Sequence, residues 1–355
     1  MNNWLLNTTL AAMLACALAP ATAAFQDPLD TPAMVDTALA QASRMTAVAR
    51  AGASLVAVGP RGHILLSKDQ GASWKQVPVP VSSDLVAVRF LSASLGWAVG
   101  HDGVVLHSAD GGATWQRQFD GRQAIQSLKP WYARQAAAGD GAAAAFLPDV
   151  DRYVEEGPGK PLLDVLFLDE KEGFVVGAFN LAFHTLDGGK SWAPLMGRTD
   201  NPKGLHLYTL AQAGGKLYAG GEQGLLLAWN AQQGRFEAMA SPYRGSFFGL
   251  LAAGDGLLAY GLRGNAWYSA DGGKHWIRQE LGVTDAVTSA ASLEGGSFVL
   301  VTQGGKIFTG QGQGKVAEVR AARPMAYFSV AAAGPRNVVV VGAGGVQAES
   351  LGTQR

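Results

Sequence analysis

Ser108-Ala-Asp110-Gly-Gly112-Ala-Thr114-Trp115 is one of four copies of a single motif, Ser/Thr-x-Asp-x-Gly-x-Ser/Thr-Trp. The others are Ser67-Lys-Asp69-Gln-Gly71-Ala-Ser73-Trp74, Thr185-Leu-Asp187-Gly-Gly189-Lys-Ser191-Trp192 and Ser269-Ala-Asp271-Gly-Gly273-Lys-His275-Trp276, the last with His275 in place of the hydroxyl residue. Each copy lies between two short apolar runs of strand type, so each reads as a β-hairpin. The four carboxylates can accept bonds from N–H groups of their own turns, glycine supplies positive φ, and each Trp returns as an apolar plug. Four matched aspartates invite a catalytic reading. The turn uses up the donors and acceptors that a catalyst would need free, so Asp69, Asp110, Asp187 and Asp271 are predicted to be structural.

A second repeat counts the units. An apolar residue, Gly and a further Gly or polar turn precede a strand at Val58-Gly59, Val99-Gly100, Val176-Gly177, Gly220-Gly221, Tyr260-Gly261, Val301-Thr302 and Val341-Gly342. The steps between positions 59, 100, 177, 221, 261, 302 and 342 are 41, 77, 44, 40, 41 and 40. One step carries a surplus of about one unit; the rest hold the propeller period of about 40 residues. The expectation is an all-β, seven-bladed β-propeller. Blade one places strands near 46–50, 54–58, 63–67 and 74–77. The last unit places three, near 327–332, 337–341 and 346–350. Its missing outer strand is expected from residues 25–35, which would close the ring and remove two sheet edges.

The 47 glycines and 48% hydrophobic residues fit a globular, turn-rich chain. Net charge is zero and no Lys/Arg cluster is present, which argues against nucleic acid as a partner. The first 26 residues carry no charge; residues 10–19 form a short apolar core before Ala21-Thr-Ala23. Residues 1–24 therefore read as a secretory signal peptide, too short for a stable transmembrane helix, and the expected address is periplasmic or secreted. The single cysteine, Cys16, lies within it and makes a poor lipoprotein box. Without it the mature chain has no thiol for a disulfide or thiolate metal site. Six scattered histidines lack ligand spacing, so neither a metal nor any other cofactor is expected.

The surplus residues, about 117–161, follow the outer strand of blade two and read as two short helices around Gly139-Asp-Gly141. A docking or capping role leads, with a structural cover and a disordered loop as alternatives. The insertion and the turns between second and third strands fall on the face opposite the Asp boxes. That face collects Arg61, Asp102, Asn180, Glu222 and Arg263 from the turns, Asn201, His206, Tyr243 and Arg244 from the links between blades, and Trp131 with Tyr132 from the insertion. Mixed charge with aromatics is the make-up of a protein-binding surface.

The boxes, seven units, signal peptide and helical insertion together resemble the Ycf48 family of photosystem II assembly factors and its bacterial BNR-repeat relatives, over residues 44–350. The resemblance implies a non-enzymatic scaffold that holds membrane-protein intermediates through an arginine-lined face; Arg61 and Arg263 match by position, and the chain itself is expected to be a monomer. The mixed charge of this surface departs from that pattern, and no residue implies photosynthesis, so an envelope or membrane-protein complex is the expected partner. The alternative is a sialidase-like glycoside hydrolase or glycan-binding propeller. It would need three arginines converging in the channel and two free carboxylates, with Glu222 and Asp102 or Asp200 the pair to check.

Overall fold

The computed structural model describes residues 26–352; the expected signal peptide and Cys16 lie outside them. Seven antiparallel sheets follow one another along the chain, six with four strands and the last with three. Their inner strands are Ala47–Ala51, Leu85–Phe90, Leu162–Phe167, Leu207–Ala213, Phe247–Ala253, Val287–Ser292 and Tyr327–Ala332. Successive inner strands pack side by side, and the first also packs on the last, with Val48 N donating to Ser329 Oγ at 3.2 Å. The seven sheets thus form a seven-bladed propeller around a channel.

The core lies between blades. Blade seven meets blade one through Val48, Leu55, Leu65 and Trp74 against Ala331, Val339 and Val341, all buried. The box turns set the blade spacing from one face. Asp69 accepts from Ser67 Oγ (2.8 Å), Ser73 N (2.9 Å) and Ser73 Oγ (2.5 Å). Asp110, Asp187 and Asp271 repeat the pattern, with His275 N and Nδ1 serving Asp271. Trp74, Trp115 and Trp276 return their indole N–H to the box glycine carbonyl at 3.2, 3.0 and 3.1 Å; Trp192 Nε1 is buried without an acceptor. Gly71 (φ 90°) closes directly on the preceding blade: a Cβ there would stand 2.4 Å from Val339 Cγ2. Both backbone sign and space therefore demand glycine.

The N-terminal segment departs from expectation. Residues 28–36 do not complete blade seven; they run antiparallel beside the outer strand of blade one. Ser82 N donates to Pro28 O (2.8 Å), Ala33 N to Val79 O (3.0 Å), and Gln76 joins Met34 O and Asp36 N. Leu29 and Ala33 are buried between blades one and two. Helix α1 (Thr37–Ala42) then wedges between the third strand of blade seven and the outer strands of blade one. The interrupting prolines, Pro78 and Pro80, keep 77–82 from becoming a ladder partner and leave room for this looser pairing. Among the described residues blade seven keeps three strands.

The insertion forms α2 (Gly121–Ala137) and α3 (Gly141–Glu156), capped by Asp120 and Asp140. Ala124, Leu128, Tyr132, Ala143, Val150 and Tyr153 face Leu181, Phe183 and Met196 of blade three in one buried cluster. Among the described residues no helix is long and apolar enough to cross a membrane.

Candidate functional site

Five turns between second and third strands share one strained geometry. In each, two successive residues have positive φ, and the residue after them donates its N–H back across the turn. The first of the pair is Arg61, Asp102, Phe179, Gln223 and Arg263 in blades one to five, at φ 56, 58, 54, 52 and 59°. Such turns favour Asn, Asp or Gly at that place. The second position is explained by packing: a Cβ on Gly62 or Gly264 would meet the Val81 or Val283 carbonyl at 2.2 Å. The first is not. Left-handed backbone costs a bulky residue about 1–2 kcal/mol, and strain of this kind clusters at functional sites. Phe179 is the extreme case, 52% exposed on a backbone that disfavours it.

Phe179 begins an aromatic ledge running toward the channel mouth. Its ring meets His206 edge-on at 4.5 Å; His206 lies 6.0 Å from Tyr208, and Tyr208 5.7 Å from Phe248. Glu222 holds the ledge from beneath. It accepts from His206 N (2.8 Å) and Tyr208 Oη (3.4 Å), with His206 Nδ1 at 3.1 Å. Tyr153 of α3, buried, donates its hydroxyl to the Phe179 carbonyl and so ties the insertion to this turn. Tyr243 does the same for blade five, donating to Leu262 O at 3.2 Å beside Arg263.

The face also presents arginines that no carboxylate among the described residues pairs with. Asp84 accepts from Arg61 N, Asp102 from Ser83 Oγ, Asp200 from Arg235 and Ala238 N, and Asp285 from Gly304 N. These carboxylates are spent on their own loops. Arg61, Arg244 and Arg263 are exposed, and among the described residues their guanidinium groups have no hydrogen-bond or ion partner. Arg44 adds a cation over the Phe328 ring at 4.8 Å.

Several residues singled out from sequence do not line this surface. Asn180 and Asn201 are both 4% exposed and bond each other at 3.0 Å, with further bonds to Met196 O, Thr199 Oγ1 and Leu205. They lock a link, because Asn180 fills the slot held by glycine in the neighbouring blades. Tyr132 is buried between hairpin and blade three, its oxygen accepting from Gly197 N at 2.9 Å, and Trp131 packs on its ring at 4.8 Å. Burial takes Tyr132 out of reach of a partner, whereas Trp131 is only half-buried. Phe179, Tyr208 and Phe248 enter instead. Aligning the seven turns by their glycines places Phe179 in the slot of Arg61 and Arg263, a signal present in the sequence.

The channel, about 600 Å³, is lined by two arginines, Arg50 and Arg89. Arg89 makes a bidentate pair with Asp164 (2.8 and 2.6 Å) and reaches Leu210 O (2.9 Å), joining three blades. Arg50 Nε is bonded to Gly52 O at 2.6 Å. Glu222, Asp102 and Asp200 are each engaged as described, so the three-arginine and two-carboxylate arrangement of the hydrolase alternative is not assembled here.

Among solved structures, YCF48 bound to D1 peptide matches with a TM-score of 0.62 at 14% identity, covering 91% of this chain and 97% of that one. YCF48 from Cyanidioschyzon merolae gives 0.59 at 14%, covering 87% and 96%. Virginiamycin B lyase from Staphylococcus aureus gives 0.68 at 8%, covering 91% and 99%. At these identities the likeness is one of fold. A curated relative, the chloroplastic photosystem II stability/assembly factor HCF136 of Cyanidioschyzon merolae, is 30% identical over 146 residues, 37% of this chain. The chain spans about a third of that relative's length, 33%. The model of photosynthesis system II assembly factor YCF48 matches residues 43–128 and 152–315, passing over most of the helical hairpin. With more than half its length matched, this chain belongs to the YCF48 family.

Proposed function

We propose that this protein is a non-catalytic assembly factor that holds an extended segment of a protein partner, a component of a membrane-protein or envelope complex, on its strained-turn face. The observation that carries the reading is Phe179: an exposed aromatic, kept in left-handed backbone by a buried tyrosine, at the head of a ledge flanked by unpaired arginines. Aromatic and arginine side chains are the usual anchors of protein recognition. A relative's structure is described as bound to a D1 peptide, which supports a peptide as the kind of ligand. Export to the periplasm belongs to the same proposal and rests on residues 1–24; a fusion reporter active only outside the cytoplasm tests it.

The binding test is site-specific photocrosslinking in the native host. A photoreactive residue at 179 is expected to capture a defined partner, and the same residue at 186, exposed on the box face, is expected not to. Equal capture from both positions would refute the assignment of the face.

A further inference from the structure

Among the described residues blade seven lacks the outer strand that the other six blades have. Its third strand, Gly345–Ser350, is therefore a sheet edge. The other blades show which backbone groups face outward. Ile64, Ala182, Leu226 and Ala266 each accept from an outer-strand N–H (Val77, Leu195, Met239, Gln279) at 3.0, 2.9, 2.9 and 2.8 Å. Val346 occupies that place in blade seven, pairing with Val341 as Ile64 pairs with Val58. Antiparallel alternation then turns the N–H and C=O of Val346, Ala348 and Ser350 outward. Among the described residues these groups have no partner.

Exposed edges are ordinarily blunted by Lys, Pro, a bulge, short length or a covering helix. Helix α1 covers only the start of this one, at Gly345 and Val346, and leaves Ala348 and Ser350 exposed. This strand has six residues in unbroken register with neither Pro nor Lys. Its one charge, Glu349, is buried and accepts from Ala322 N and Arg323 N at 2.9 and 3.3 Å. Beside it Gln347 Oε1 is buried without a donor. The flanks differ in chemistry. Arg320 and Arg323, on the link from blade six, and Arg336, whose carbonyl accepts from Leu351 N, are exposed and without ion partners among the described residues. On the other flank α1 presents Leu39, 47% exposed, just after exposed Met34 and Val35.

We propose that this edge is a second docking site, which takes an extended acidic segment of a partner protein as the fourth strand of blade seven. Its backbone pairs with Ala348 and Ser350, past the start of the edge on which α1 packs at Gly345 and Val346. Its carboxylates meet Arg320, Arg323 and Arg336, and an apolar side chain covers Leu39. Strand addition takes affinity from main-chain bonds and specificity from the flanking side chains. Charge selects the occupant. A second copy paired edge to edge would bring two arginine clusters into one interface, whereas an acidic strand neutralises one.

The test uses a fluorescent peptide of alternating valine and glutamate, read by anisotropy on the full chain. Saturable binding is expected, weakened about tenfold or more by Ala348→Pro, which removes one outward N–H and leaves the inner ladder intact. The Arg320→Glu/Arg323→Glu double variant keeps the test valid if proline disturbs the fold; it is expected to weaken binding about tenfold at low salt. Phe179→Gly is expected to leave it unchanged. No saturation up to about 1 mM peptide, equal binding by both edge variants, or loss with Phe179→Gly would overturn the proposal. So would a concentration-dependent dimer abolished by Ala348→Pro, which would make the occupant a second copy.

Discussion

Two buried tyrosines of the hairpin allow stability to be separated from presentation of the site. Tyr153 donates to the Phe179 carbonyl, while Tyr132 accepts from Gly197 N on the far side of the same hairpin. Tyr153→Phe frees a carbonyl on an exposed turn that water can reach, so its stability cost is about 1 kcal/mol. Tyr132→Phe strands a half-buried N–H and costs about 1–3 kcal/mol. In thermal melts the second variant therefore falls further, by about 2–6 °C against about 2 °C. The order reverses at the site. The left-handed conformation at Phe179 carries about 1–2 kcal/mol of strain, comparable with the one bond that Tyr153 supplies. The packing of the hairpin and of the Phe179 ring on His206 holds the turn as well, so losing that bond shifts the ratio of strained to relaxed turns about fivefold toward the relaxed one. The assay is fluorine NMR with 4-fluorophenylalanine at position 179. A single resonance is expected in the parent and in Tyr132→Phe, and a split or exchange-broadened one in Tyr153→Phe. An unmoved resonance in Tyr153→Phe would refute the idea that the hairpin holds this turn.

Phe179→Gly removes both ring and strain: unfolding free energy should stay within about 1 kcal/mol of the parent, while photocrosslinked partner capture from position 263 falls severalfold. Hydroxyl and backbone bonds from Ser73 hold the Asp69 carboxyl down to about 2, and the His275 N–H and ring hold Asp271 lower still. Depressed carboxyl pKa values give stability that is present above about pH 4 and lost as pH falls through the folded values; urea midpoints should drop between pH 4 and about 2, with a shallower fall in Asp69→Asn and Asp271→Asn. The Arg89–Asp164 pair should show a coupling of about 1–2 kcal/mol in a double-mutant cycle with Arg89→Met and Asp164→Leu, below the full value of a buried pair because Arg89 is 38% exposed to the channel. Additive unfolding free energies would mean that the pair does not join the blades.

The period was readable because four box hairpins and five turns of one geometry demand the same residue types at the same places. Asp, Gly and Trp recur in the boxes since a positive φ, a 2.4 Å approach to Val339 and a set of N–H groups leave little choice. The ends of the ring were not readable this way. Residues 28–36 pair through scattered backbone bonds and two small apolar contacts, which leave no alternation in the sequence to mark a strand, so the missing strand of blade seven was the natural but wrong destination. Residue type also misled at the recognition face. Asn180, Asn201 and Tyr132 carry polar atoms that a partner could use, yet each has its partners inside the molecule. Burial is set by neighbouring blades, which one unit's sequence does not display.

Strain explains why the same face is the one to probe. The box turns place glycine wherever φ is positive and the backbone is close, with Gln70 the one exception among them. The opposite turns place Arg, Asp, Phe, Gln and Arg in left-handed backbone across five blades, where Asn or Gly would be easier. Stability alone does not account for Phe or Arg in that slot. Phe179 further has a helical hairpin packed beneath it and a hydroxyl bond to its own carbonyl. Among the described residues, of the four equivalent turns the blade-five one has a comparable bond, from Tyr243 to the Leu262 carbonyl, and it has no inserted element. A residue disfavoured by its own backbone and buttressed by an inserted element fits the proposed role of meeting a partner outside the molecule. Under that proposal the insertion is a mount for the recognition face, with Tyr153 as the point of attachment.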